Sequence, residues 1–113
     1  MKPQPLVFAG AFFTLAAFAG AANAQAFNCN YAKLPAEVAI CNDSELSSFD
    51  EEMASEYYAL TNNAPAWAVR RIKNEQKSWL GDRNACGYDM QCIAGEYRWR
   101  LQQLGEWRDR LGY

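Results

Sequence analysis

Histidine is absent from all 113 residues of the chain. This absence excludes the serine–histidine and cysteine–histidine pairs of nucleophilic enzymes and every zinc site that needs an imidazole. The sequence also lacks a glycine-rich phosphate-binding loop, a Cys-x-x-Cys redox motif and the alternating pattern of a half-buried strand. We therefore predict that the protein is not an enzyme and has no catalytic residue, metal site or cofactor.

The N-terminus has the features of an export signal. Lys2 precedes an uncharged apolar run over residues 6–22, and residues 22–24 (Ala-Asn-Ala) provide the small side chains that a signal peptidase requires. We expect residues 1–24 to be a signal peptide and residues 25–113 to form one domain. A retained membrane anchor is the alternative, but the glycines in the run and the cleavage site disfavour it. The mature protein is then expected to be periplasmic or secreted, without a membrane anchor.

The balance of charge is mildly acidic. The full chain has a formal net charge of −2, and loss of Lys2 with the signal would make it one unit more negative. Nucleic-acid binding favours a basic surface, so we do not expect a nucleic-acid partner. An acidic domain is instead compatible with a basic protein partner.

Hydrophobic spacing predicts an all-α fold: a small disulfide-linked bundle of one short and three longer antiparallel helices. Apolar residues recur three and four positions apart, as on the buried side of a helix. Short connections between the helices favour antiparallel neighbours. Pro35 suits the first turn of the short helix, Asp43 and Asp89 are N-caps, and Gly87 ends the third helix in a left-handed conformation. The predicted helices cover residues 35–41, 44–64, 66–85 and 90–111.

The four cysteines are expected to form two structural disulfides. A small exported domain buries little apolar surface and is commonly stabilised by such bridges, and no Cys-x2-Cys spacing indicates zinc. Three connectivities are possible. We favour the local pairing, Cys29–Cys41 with Cys86–Cys92, because the latter two would close the corner between the last two helices. The crossed pairing, Cys41–Cys86 with Cys29–Cys92, remains open.

Several polar side chains fall on otherwise apolar helix faces. Gln76 and Arg83 share a stripe with Trp79, and a buried arginine needs a carboxylate partner. The alternative to a structural network is a binding or catalytic site, but nothing else in the sequence indicates chemistry. We therefore predict that a structural polar network is drawn from Glu37, Asp50, Gln76, Arg83 and Arg100.

A second group of residues is expected on the surface. Acidic residues crowd the second helix, where they can also be an ordinary solvated face. Tyrosine and tryptophan are enriched at binding hot spots, and some aromatic residues lie outside the predicted core stripes. The candidates for contact with a protein partner are Glu45, Glu52, Glu56, Trp67 and Trp99.

A set of short motifs spans residues 27–104: Phe27-x-Cys29, Glu37-x-x-x-Cys41, Leu46-x-x-x-Asp50, Tyr57, Gln76-x-x-Trp79-Leu80-x-x-Arg83-x-x-Cys86, Cys92 and Tyr97-x-x-Arg100-Leu101-x-x-Leu104. Their combination resembles the lysozyme inhibitor LprI-like N-terminal domain family of small exported bacterial proteins. The resemblance covers nearly the whole mature chain and implies a helical, disulfide-linked envelope domain, with lysozyme inhibition in some members. Leu34 departs from the Ser or Thr that often precedes Pro35, and no lipid-attachment cysteine is present.

These observations lead to two functional hypotheses. The first is an inhibitor of a lysozyme or of an endogenous muramidase, acting by blocking the substrate cleft. The alternative is a non-catalytic structural or adaptor protein of the envelope that binds another periplasmic protein.

Overall fold

The structure is a computed structural model that describes residues 27–113. The predicted signal peptide and its cleavage site lie outside the described residues. A single 3-10 turn, Cys29–Tyr31, precedes four α-helices, and residues 27–113 contain no strand. The predicted all-α fold of one short and three longer helices is confirmed. The helices are α1 (Pro35–Asn42), α2 (Ser44–Asn63), α3 (Ala66–Ala85) and α4 (Met90–Leu111).

Local sequence signals account for the ends of these helices. The Asp43 carboxylate accepts the Leu46 N–H at the start of α2, and the Asp89 carboxylate accepts the Cys92 N–H at the start of α4. Gly87 follows α3 with a φ of +62°, a conformation that glycine adopts without a Cβ clash. The predicted caps and the predicted left-handed glycine are therefore present.

Three helices form the bundle, and α1 packs across α2 and α3. Contacts between α3 and α4 run in opposite directions, from Arg83 with Tyr97 to Glu75 with Trp107. Contacts between α2 and α4 instead follow the same chain direction in both helices, and the last of them joins Asn63 to Tyr113. Among the three long helices, consecutive ones are therefore antiparallel, and α2 and α4 are parallel neighbours.

The core lies along the common axis of α2, α3 and α4, with α1 covering one side. Trp107 lies at the edge of the apolar stripe of α4, yet only 2% of it is exposed. It is covered because its ring packs against Trp67, with centroids 6.0 Å apart. Apolar core residues include Ile40, Leu46, Met53, Leu60, Ile72, Trp79, Ile93, Tyr97, Leu104 and Trp107.

Both disulfides are local. Cys29–Cys41 joins the 3-10 turn to α1, and Cys86–Cys92 closes the corner between α3 and α4. All four cysteines are bridged, and the pairing is the local one that we favoured from the sequence. Within residues 27–113, no helix has both the length and the apolar character needed to cross a bilayer.

Candidate functional site

The first buried polar group, which we call the Asp50 cluster, consists of Asp50, Arg83, Asn84 and Tyr97. The Tyr97 hydroxyl donates a 2.6 Å hydrogen bond to Asp50 Oδ1 and accepts one of 3.1 Å from Arg83 Nη1. Arg83 Nη1 itself lies 3.8 Å from Asp50 Oδ1, and both side chains are almost completely buried. The cluster therefore joins α2, α3 and α4 through one hydroxyl group.

The remaining donors of Arg83 are also used. Its Nε and Nη2 donate to the Asn84 side-chain oxygen at 3.1 and 2.9 Å. The guanidinium lies 5.3 Å from the centroid of the Phe27 ring and 5.8 Å from that of Trp79. These aromatic faces supply cation–π stabilisation to a charge that is largely removed from water.

The second group, the Arg100 cluster, consists of Arg100, Glu75, Gln76, Gln103 and Trp107. Arg100 donates to Gln76 Oε1 at 2.9 Å, to Glu75 Oε1 at 3.4 Å and to Gln103 Oε1. It also donates to the main-chain oxygen of Ile72 at 3.3 Å. Glu75 Oε1 accepts a further bond of 2.9 Å from Trp107 Nε1, which ties the buried indole to the same network.

Burial changes the protonation equilibria of three side chains. Desolvation raises the pKa of Tyr97 far above its usual value, and the negative charge of Asp50 acts in the same direction. Desolvation lowers the pKa of Arg100, against the opposing effect of Glu75. The pKa of Tyr57 is raised, mainly by desolvation and then by Tyr58. Tyr97 therefore stays a neutral hydrogen-bond donor over the physiological pH range.

Both clusters satisfy their buried polar groups internally. Among the described residues, every buried side-chain nitrogen and oxygen has a partner. The Arg100 cluster also reaches the surface, because Glu75 is 31% exposed and lines a small cleft together with Gln103. Residues 27–113 contain no group of three histidine, cysteine, aspartate or glutamate residues that could hold a metal ion.

The predicted network residues are divided between these two clusters. Asp50 meets Arg83, and Gln76 meets Arg100. Glu37 lies apart from both, because its carboxylate accepts the N–H groups of Lys33 and Leu34 at the start of α1. Its placement in the network is therefore wrong: it provides the glutamate half of a capping box, while the Leu34 side chain forms no capping hydrogen bond.

Sequence reasoning missed two residues that hold the clusters together. Helix periodicity predicts only that Tyr97 is buried, although a buried hydroxyl usually has a hydrogen-bond partner. Glu75 was overlooked because it lies at the edge of the α3 stripe, with its side chain 31% exposed. Its position next to Gln76 is the signal that could have revealed a carboxylate partner for Arg100.

The surface acids Glu45, Glu52 and Glu56 lie on one line along α2, because their spacings of seven and four residues return to the same side of a helix. Glu45 and Glu52 are exposed and form no ion pair within residues 27–113. Glu56 pairs with Arg108 of α4 at 3.0 Å. The line therefore follows the seam between α2 and α4, which we call the acidic seam.

Two clefts lie at opposite ends of the acidic seam. One, of about 500 Å³, includes Glu56, Asn63, Arg108 and Tyr113 among its lining residues. The other, of about 490 Å³, is lined partly by Glu45. The seam therefore combines unpaired negative charge with recesses large enough for side chains of a partner.

Trp67 and Trp99 are not part of the acidic seam. Trp67 lies at the start of α3, and about half of its surface is exposed. Trp99 is on α4 and borders a small cleft with Ser78 and Asp82 of α3. The structure thus separates the five predicted surface residues, with the acids on the α2–α4 side and the tryptophans elsewhere.

No protein-family model, curated protein or solved structure matches the chain. The resemblance to the LprI-like family is therefore carried by the residue pattern alone.

Proposed function

We propose that the mature protein is an exported, non-catalytic inhibitor of a lysozyme or of an endogenous muramidase. One observation supports this proposal most: the polar residues of the LprI-like motifs form hydrogen bonds inside the domain. Asp50, Arg83 and Arg100 are buried and hydrogen-bonded within the fold, so contact with a partner falls to the exposed surface. A stable helical domain that presents a surface, rather than a reactive group, suits inhibition by steric occlusion.

The acidic seam is the surface that we assign to the enzyme. Glu45 and Glu52 are free of ion pairs within the described chain, and the seam is bordered by two clefts. A negative surface attracts a cationic muramidase and accelerates the encounter. Side chains from the rim of the enzyme's substrate cleft can enter the recesses of the seam, so that the bundle covers the cleft.

Rigidity supports this mode of binding. The local disulfides fix both the lead-in to α1 and the α3–α4 corner, and the connections between the three long helices are short. A surface that is already ordered loses little conformational entropy when it binds. The inhibitor therefore presents the acidic seam in its bound geometry before contact.

A peptidoglycan lysis assay with several types of muramidase tests the proposal. We expect mature protein at micromolar concentration to slow lysis by at least one of them. Glu45→Gln/Glu52→Gln should weaken inhibition about tenfold, equivalent to about 1.4 kcal/mol. The control Glu106→Gln/Asp109→Asn removes the same charge from exposed positions of α4 and should leave inhibition unchanged. Full lysis rates with all the enzymes would contradict the proposal.

The position of the tryptophans favours one second candidate, an adaptor of the envelope. Trp99 is 53% exposed and lies away from the acidic seam, so a second protein can bind there independently. Cross-linking in envelope extracts should then yield one defined partner that is not a muramidase. Trp99→Ser should abolish that product, whereas Tyr58→Ser, at a similarly exposed tyrosine, should retain it.

A further inference from the structure

The small net charge conceals a strong separation of charge between helices. The 20 residues of α2 contain no lysine or arginine. The exposed side of α3, in contrast, carries Arg70, Arg71, Lys73 and Lys77. We call these four residues the basic face. Net charge alone therefore does not describe the surface that a partner of α3 would meet.

The basic face consists of unpaired cations. At about 100° per residue, Arg70, Lys73 and Lys77 fall within a sector of about 60°, and Arg71 lies about 100° from Arg70, on the far side of Trp67. None of the four forms an ion pair within residues 27–113. The nearest acid in the sequence, Glu75, is directed to Arg100 and Trp107 of α4. Asp82, the other acid of α3, forms no ion pair with these cations.

An exposed tryptophan adjoins these charges. Trp67 lies one turn before Arg70 and Arg71 on α3, and 47% of its surface is exposed. One side of its ring rests on Trp107, so the indole is held in place at the surface. Tryptophan is enriched at the level of the lipid headgroups, where its ring meets both apolar and polar surroundings, so an exposed indole beside cations suits a membrane surface.

We propose that the basic face of α3 binds the surface of an anionic phospholipid bilayer peripherally. Each lysine or arginine near such a surface contributes attraction that salt weakens. All four side chains are exposed, and none of them lines the three clefts described above. An extended, flat anionic surface complements this arrangement.

Binding through the basic face orients the protein so that the acidic seam lies away from the lipid. Helices α2 and α3 bury their apolar sides against the same core, so their exposed sides point in different directions. When α3 lies on the bilayer, the acidic seam faces away from it and stays accessible. This inference does not depend on muramidase inhibition, because it concerns a different helix face.

Co-sedimentation of the mature protein with phosphatidylglycerol and phosphatidylcholine vesicles tests the proposal. We expect binding to the former only, with release at high salt. Lys73→Glu/Lys77→Glu should weaken binding by at least about 25-fold, since each cation contributes roughly fivefold. The control Lys33→Glu/Arg98→Glu makes the same change in net charge at exposed positions outside the basic face and should bind like the wild type.

Circular dichroism should show that both variants keep their helical content. Three results would overturn the proposal: no binding to phosphatidylglycerol vesicles, equal loss of binding in both variants, or equal binding to phosphatidylcholine. A fourth would be binding to soluble duplex DNA as tight as to the anionic vesicles, which would assign the basic face to a nucleic acid instead.

Discussion

The Tyr97 hydroxyl donates a 2.6 Å hydrogen bond to the Asp50 carboxylate, although 47 positions separate the two residues in the sequence. Because the same hydroxyl accepts a bond from Arg83, it separates the two opposite charges and hydrogen-bonds to both. The buried pair thus depends on a neutral group that belongs to a third helix. This relationship makes Tyr97 a sensitive point for testing the fold.

Removal of that hydroxyl should destabilise the domain. Tyr97→Phe keeps the ring but leaves Asp50 and Arg83 each without one partner, and we expect a loss of about 2–3 kcal/mol in unfolding free energy. Urea denaturation followed by circular dichroism measures it. Tyr58→Phe, at a residue that is 51% exposed, is the control and should change stability by less than about 0.5 kcal/mol. Equal stabilities of the two variants would contradict the role of the hydroxyl.

The raised pKa of Tyr97 predicts a loss of stability in alkali. Below a pH of about 10, tyrosine is protonated in both the folded and the unfolded chain. Above it, the unfolded chain releases this proton while the folded protein retains it, so stability falls by up to about 1.4 kcal/mol per pH unit. Denaturation curves measured between roughly pH 9 and 11 should show this slope. Tyr97→Phe should show a shallower one, and an unchanged slope would contradict the assignment.

The Arg100 cluster should be equally important for stability. Arg100→Met retains much of the packed side chain but leaves Gln76, Glu75 and the Ile72 carbonyl without their donor. We expect a loss of about 3 kcal/mol, measured by urea denaturation. Arg98→Met changes a neighbouring exposed arginine of α4 and should cost less than about 0.5 kcal/mol. Similar losses in both variants would show that position in the cluster is irrelevant.

Peptide mapping tests the disulfide pairing directly. Trypsin cannot cleave between Cys86 and Cys92, since residues 84–98 contain no lysine or arginine before Arg98. The local pairing predicts that a non-reducing digest releases residues 84–98 as one peptide with an internal bridge. The crossed pairing would instead link that peptide covalently to those containing Cys29 and Cys41.

Loss of either bridge should also lower stability. Replacing both cysteines of one pair by serine should cost about 2–3 kcal/mol, and slightly more for the longer Cys29–Cys41 loop than for Cys86–Cys92. Thermal unfolding of each double variant measures the effect. Unchanged stability after removal of both bridges would contradict their structural role.

The fold could be predicted from the sequence because its signals are local. Asp43, Asp89 and Gly87 act on backbone groups within a few residues, and apolar spacing identifies each buried face. The partners of buried polar groups could not be predicted in the same way. Tyr97 meets Asp50 only after α2 and α4 pack in parallel, a geometry that helix periodicity does not contain.

The wrong placement of Glu37 has a local origin, because its carboxylate accepts main-chain N–H groups close to it in sequence. The complete burial of Trp107 has a long-range origin, because its indole contacts Trp67 and the carboxylate of Glu75 on another helix. The sequence predicted which acidic and aromatic residues are exposed. Only the structure shows that the acidic residues and the tryptophans lie on different sides of the bundle.

Occlusion of a muramidase substrate cleft by the protein is tested most directly by initial-rate kinetics with a soluble chito-oligosaccharide substrate. Increasing amounts of mature protein should raise the apparent KM while kcat stays unchanged, because the inhibitor and the saccharide compete for one cleft. Glu45→Gln/Glu52→Gln should need a higher concentration for the same effect. Unchanged KM and kcat at micromolar protein, for every muramidase tested, would contradict the account.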